Sequence, residues 1–197
     1  MNKVIKIVIG CFCCINLVGC SSEPYEMDSR VEVAEITDSD KYNYTWMEDD
    51  DPAFVEISFE DALNFFRNGW SGVLYFGKVG CQFCERAAPL VNQAAKERNI
   101  TIYYIDSSKN MGETEEKANA NYEEIGQYIS DSYLEDSDGN KSFYVPDVVG
   151  VKDGKMVDYK VSLADGYNIN EQEQMNDSQK KQLLNKYLEI IDRVYKN

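Results

Sequence analysis

The sequence predicts an α/β domain: a central mixed sheet with helices on both faces and a helical insertion before one of the later strands. Three observations lead there. Short apolar runs suited to buried strands, VLYFG at 73–77 and ITIYYID at 100–106, alternate with segments whose apolar residues recur every three or four positions. Two strand-like segments, VPDVVGVK and KMVDYKV, flank Asp153-Gly154, a good hairpin turn. From Ala53 onward about 145 residues remain, enough for one domain with a real core.

Each element has its own signal. Ser58, followed by Glu60 and Asp61, opens a helix through Ala62, Leu63, Phe65 and Phe66, and Asn68-Gly69 ends it. VLYFG supplies the first strand. A second helix passes through Ala87, Leu90, Val91, Ala94 and Ala95, and ITIYYID follows as the next strand. The charged segment from Glu113 to Glu135 carries Tyr122, Ile125, Tyr128 and Ile129 at helical spacing, so one side of that helix is apolar and either packs or forms a lid. After the hairpin, Asp177 or Ser178 caps a last helix with an apolar face of Leu184, Tyr187, Leu188, Ile191, Val194 and Tyr195. This order requires parallel crossovers first and an antiparallel hairpin last.

The start of the chain has the layout of an export signal. Lys3 and Lys6 precede an apolar run from Ile7 to Val18, which is shorter than the roughly 20 residues a membrane span needs. Leu17, Val18, Gly19 and Cys20 resemble a bacterial lipobox, with polar Ser21 and Ser22 behind. That resemblance implies a signal peptide over 1–19, lipid on Cys20 and a protein held on the outer face of the cell membrane. Residues 20–52, polar and ending in Glu48, Asp49, Asp50 and Asp51, then read as an acidic tether. If flexible, such a tether reaches roughly 30 Å. The domain would occupy 53–197.

Removal of the signal changes both charge and cysteine content. The full chain carries a net charge of −15, and loss of Lys3 and Lys6, with no Asp or Glu among the first nineteen residues, takes it to −17. Such a surface repels phosphate backbones and anionic head groups, which argues against nucleic acid and leaves membrane attachment to the lipid. Protein partners would tend to be basic. The absence of histidine excludes imidazole catalysis and histidine-based metal sites. Of six cysteines, Cys11, Cys13 and Cys14 leave with the signal and Cys20 takes the lipid, so Cys81 and Cys84 remain. Two cysteines this close staple almost no loop and lack the further ligands of a structural zinc site, and redox exchange gains weight.

Cys81-Gln82-Phe83-Cys84 stands at a predicted helix start behind a strand, Pro89 lies five residues beyond, and Val145-Pro146 precedes the hairpin. Together these features resemble the thioredoxin superfamily. The resemblance implies a thioredoxin-like fold, a cis Val145-Pro146 bond facing the cysteines, a bend at Pro89 and an extended substrate segment paired beside Val145 and Pro146. YFGKVGCQFC, IYYID and YVPDVVGVKDGK also resemble the lipid-anchored proteins of Gram-positive bacteria called bacteriocin transport accessory proteins. Physical chemistry points the same way. A cysteine at a helix N-terminus meets unpaired N–H groups and the positive end of the helix dipole, which favour the thiolate. Cys81 is then the nucleophile and Cys84, one turn on, resolves the mixed disulfide. Lys78 either adds positive charge nearby or simply lies exposed.

The sequence also departs from that pattern. Tyr75 stands where many thioredoxins bury a carboxylate, six residues before the nucleophile, and Gly80 replaces the usual aromatic. Residues 107–143 form an insertion. Asp147 either places a charge in the substrate groove or points to solvent. Asp136-Ser137-Asp138-Gly139-Asn140 lacks the spacing of a calcium loop, and GVKDGK at 150–155 is too short for a phosphate loop, so both read as turns. The expected activity is that of an extracytoplasmic thiol-disulfide oxidoreductase on exported proteins, with no cofactor or metal and the direction of electron flow open. The alternative is a lipoprotein binding or secretion accessory module that uses the groove without turnover.

Overall fold

A computed structural model describes Tyr44, residues 47–109 and residues 111–196. The signal segment, Cys20, Trp46 and most of the acidic tether lie outside the described residues. Among the described residues the main sheet has five strands: β1 (Phe54–Glu56), β2 (Gly72–Gly77), β3 (Ile102–Asp106), β6 (Asp147–Lys152) and β7 (Lys155–Val161). A separate two-stranded hairpin, β4 (Leu134–Glu135) with β5 (Lys141–Ser142), lies in the insertion. The sheet order is β1-β3-β2-β6-β7, parallel across β1, β3 and β2 and antiparallel across β2, β6 and β7. This is the thioredoxin-like mixed sheet, and β1 is a strand that its short, part-polar sequence did not announce.

Among the described residues four α-helices cover the sheet: α1 (Phe59–Arg67), α2 (Gln82–Arg98), α3 (Glu115–Ile129) and α4 (Asp177–Tyr195). Alternation along the strands divides the core in two. One face packs Val73, Tyr75, Tyr104 and Val148 against α2 and α4, and the other packs Leu74, Phe76, Ile105 and Val149 against α1 and α3. β2 and β3 are buried along their whole length, which explains their unbroken apolar sequences.

Local chemistry sets the helix ends. Ser58 caps α1 in a reciprocal box with Asp61, and Asn68 closes it. The cap of α4 is Asn176, not Asp177 or Ser178, because the Asn176 side chain accepts from the Gln179 amide while Gln179 reaches back to the Asn176 amide. The buried face of α4 includes Leu183 and Ile190, with Leu184 and Leu188 only half-buried. In α3 the apolar stripe packs: Ile125 and Ile129 are buried, and Tyr128 stacks on Phe66 at 4.6 Å. Arg67 ties α3 to α1 by donating to both Glu124 oxygens, at 2.6 and 2.5 Å. Asp136 accepts from the amides of Asp138 and Asn140 as a turn, and Asp153 and Gly154 form the β6–β7 turn at positive φ.

The expected tether requires a correction at its inner end. Tyr44 and Met47 are buried in the core on the α2 side. Asp49 pairs with Lys96 and accepts from the Asn92 amide at 2.7 Å, and Asn92 accepts the Ala53 amide at 2.8 Å. The segment leading into β1 is therefore a strap fastened to α2. Sparse apolar residues in an acidic run gave no period to reveal it, and the partners that hold it lie about forty residues away.

Candidate redox site

The two cysteines meet at the start of α2. β2 ends at Gly77, and Lys78, Val79 and Gly80 form the loop that follows. Gly80 has φ of +73°, a left-handed conformation that turns the chain into the helix with little strain only at glycine. Cys81 is the N-cap. Its Sγ accepts from the Cys84 amide at 3.2 Å and its carbonyl accepts from the Glu85 amide at 2.9 Å. Serine or aspartate ordinarily fills this position, so the sulfur takes the place of a capping oxygen.

Cys81 is partly exposed and Cys84 fully buried, and both are free thiols. The Cys84 thiol donates to Cys81, the Cys84 and Phe83 amides point at the same sulfur, and the charge of the exposed Lys78 adds to them. Against the penalty of partial burial, these donors bring Cys81 down to about 6. The same sulfur contact, with burial, pushes Cys84 far above the thiol range. One sulfur is thus prepared as a thiolate and the other held as a thiol.

The Val145–Pro146 bond is cis, and Cys81 Sγ lies 3.9 Å from the Val145 carbonyl oxygen. Cys81, Cys84, Val145 and Pro146 therefore come together, while Cys20 is outside the described residues. Val79, Phe83 and Tyr144 are exposed apolar side chains on the segments that carry this site. Pro89 lies within α2 and leaves the Glu85 carbonyl without its usual helical donor.

Asp147 fits neither expectation. It is fully buried, away from solvent, and its Oδ2 lies 2.5 Å from Ser132 Oγ in the one-turn 3-10 helix that follows α3. Burial pushes its carboxyl up to about 7. Sequence inspection also missed Tyr44 as a core residue beside Tyr75, Ser132 as the partner of Asp147 and Asn92 as the clamp of the strap. A polar residue at the head of an otherwise apolar strand is a faint signal for Asp147; no comparable signal marks the others.

No family model matches the chain. Among the solved structures that resemble it are oxidized thioredoxin O2 from Arabidopsis thaliana, at 16% identity and a TM-score of 0.38 over 61% of this chain and 88% of that one, and oxidized thioredoxin O1 from the same plant, at 17% and 0.37 over 60% and 89%.

Proposed function

We propose that the protein is a thiol-disulfide oxidoreductase in which Cys81 attacks and Cys84 resolves. The observation that carries this is the unequal pair at the head of α2: an accessible sulfur surrounded by donors, with a buried thiol donating to it. In the reducing direction, the Cys81 thiolate attacks a substrate disulfide, an S–S bond forms to one substrate sulfur, and the other leaves as a thiolate. Cys84 then loses its proton and attacks Cys81, the Cys81–Cys84 bond forms, and the second substrate sulfur departs and takes up that proton. Two electrons pass from the dithiol to the substrate. The oxidising direction is the reverse, and stabilisation of the Cys81 thiolate favours it by favouring the dithiol product.

The partly exposed backbone at Val145, whose carbonyl lies beside the attacking sulfur, suits an extended segment of a protein substrate, while the Pro146 carbonyl is taken by the Ser162 amide. The acidic surface favours basic substrates. Export and lipidation at Cys20 would place this chemistry outside the cytoplasm on a membrane anchor. Among the described residues no helix is long and apolar enough to cross a membrane.

The test is reduction of insulin and exchange with glutathione by the purified protein, with Cys81→Ser beside it. Turnover that disappears in the variant is expected. Absence of exchange in either direction, with both thiols accessible to a denaturing titration, rejects the proposal and leaves the non-catalytic binding module. Cys84→Ser should accumulate mixed disulfides with its substrates and so identify them.

A further inference from the structure

Tyr75, at the position where a carboxylate is missing, belongs to a group. Its hydroxyl donates to the Cys84 carbonyl at 3.2 Å, inside the apolar layer between the sheet and α2. The rings of Tyr44, Tyr75 and Tyr104 lie 5.7 to 6.1 Å apart, each beside the other two. They converge on Gly77, where an added Cβ would collide with the Tyr44 hydroxyl and lie 3.3 Å from the rings of Tyr75 and Tyr104. Gly77 is the last residue of β2 before the loop to Cys81. Tyr44 reaches the cluster from the strap that Asp49 and Asn92 fasten to the helix carrying Cys84.

We propose that Tyr75, backed by Tyr44 and Tyr104, is a positioning residue for the resolving cysteine: the cluster fixes the Cys84 peptide so that its sulfur faces Cys81 in the dithiol state. This inference rests on the proposed exchange reaction and deepens it. Three large rings fill the space beneath the first turn of α2, and one hydroxyl anchors its peptide. Burial, with the neighbouring Cys84, Tyr187 and Tyr104, holds the Tyr75 phenol protonated, so it acts as a donor and not as a base. Burial and Tyr75 do the same for Tyr44. The strap before β1 is thereby part of the redox site.

The test uses Tyr75→Phe and Tyr44→Phe in the full chain, which keep the rings and remove one oxygen each. Tyr128→Phe, on the opposite face of the sheet, is the control. The readout is the dithiol–disulfide equilibrium in glutathione buffers, with folding checked by circular dichroism. Loss of a hydrogen bond that serves the dithiol should move the equilibrium toward the disulfide by about threefold to tenfold for Tyr75→Phe. Tyr44→Phe should move it the same way and Tyr128→Phe should not. If Tyr75→Phe fails to fold, Tyr44→Phe, at the edge of the cluster, is judged by the same threefold criterion. A shift below threefold, or toward the dithiol, overturns the assignment while leaving the exchange activity in place. A wild-type protein that does not exchange with glutathione removes the activity and the assignment together.

Discussion

Replacing Asp147 with asparagine should remove a loss of stability that the wild-type protein suffers as pH rises. Asp147 is fully buried. Ser132 Oγ lies 2.5 Å from its Oδ2 and 2.9 Å from the Ile129 carbonyl oxygen. One hydroxyl proton cannot serve both acceptors. Both contacts are satisfied when a protonated Asp147 donates to Ser132 and Ser132 donates to Ile129. Burial outweighs the lowering effect of the Ser132 contact and brings the carboxyl up to about 7.

In the unfolded chain an aspartate titrates near ~3.9. Between that pH and 7 the folded protein holds a proton that the unfolded chain has released, so stability falls as pH rises. The contribution is complete below the unfolded value and is lost as pH climbs through the folded one. The displacement corresponds to about 4 kcal/mol, more than half of it between about pH 5 and 8. Asparagine donates to Ser132 as the neutral acid does and does not titrate. Urea unfolding of both proteins across that interval should show Asp147→Asn gaining on wild type by roughly 2 to 3 kcal/mol. Cys81, lowered to about 6, titrates in the same interval with the opposite sign, since its thiolate stabilises the folded state as pH rises. Both proteins carry it, so it cancels. A difference that stays constant from about pH 5 to 8 would refute the neutral-acid assignment.

Alkylation of Cys81 by iodoacetamide should follow a thiolate midpoint near 6, with Cys84 protected by burial, and Cys84→Ala should move the midpoint up by removing the thiol donor; equal midpoints in the two proteins would contradict this electrostatic account. Tyr44→Ala removes a buried aromatic ring from the strap and should cost about 3 to 5 kcal/mol in chemical denaturation. A cost within experimental error would mean that the strap does not belong to the core. Asn92→Ala breaks the contacts to the Ala53 amide and Asp49 and leaves a part-buried amide unpaired, a cost of about 1 to 3 kcal/mol. Hydrogen exchange should then quicken at Ala53, and unchanged protection there would count against the clamp.

The parts of the fold legible in the sequence are those whose signal is local. VLYFG and IYYID are continuous because both faces of β2 and β3 are covered, Ser58 and Asp61 stand three apart because a capping box needs that spacing, and Asp153-Gly154 accepts the positive φ of its turn. Cys81 and Cys84 were legible for the same reason, since both the cap and its helix are written within one turn. The strap was not. Tyr44 becomes a core residue through partners such as Tyr75, Tyr104 and Gly77, thirty to sixty residues away. Asp147 was misplaced because its partner, Ser132, comes from an insertion with no sheet pattern of its own.

Strand register decides what the buried carboxylate can do for the thiols. Val148 pairs with Tyr75 and faces the α2 side with Cys84, whereas Asp147 pairs with Phe76 and turns to Ser132 on the α3 side. Adjacent residues of a strand point to opposite faces, so the Asp147 carboxyl turns away from the face that Val148 shares with Cys84. A carboxylate at position 75 would have faced Cys84 directly; here that position holds a phenol kept protonated, and the acid lies on the other side, directly after Pro146. The acid joins the insertion to the strand that begins directly after Pro146, and the tyrosines join the strap to the helix that carries Cys84. Substitution at Asp147 should therefore act first on stability and on the Pro146 side of the groove, whereas substitution at Tyr75 should act first on the cysteine couple.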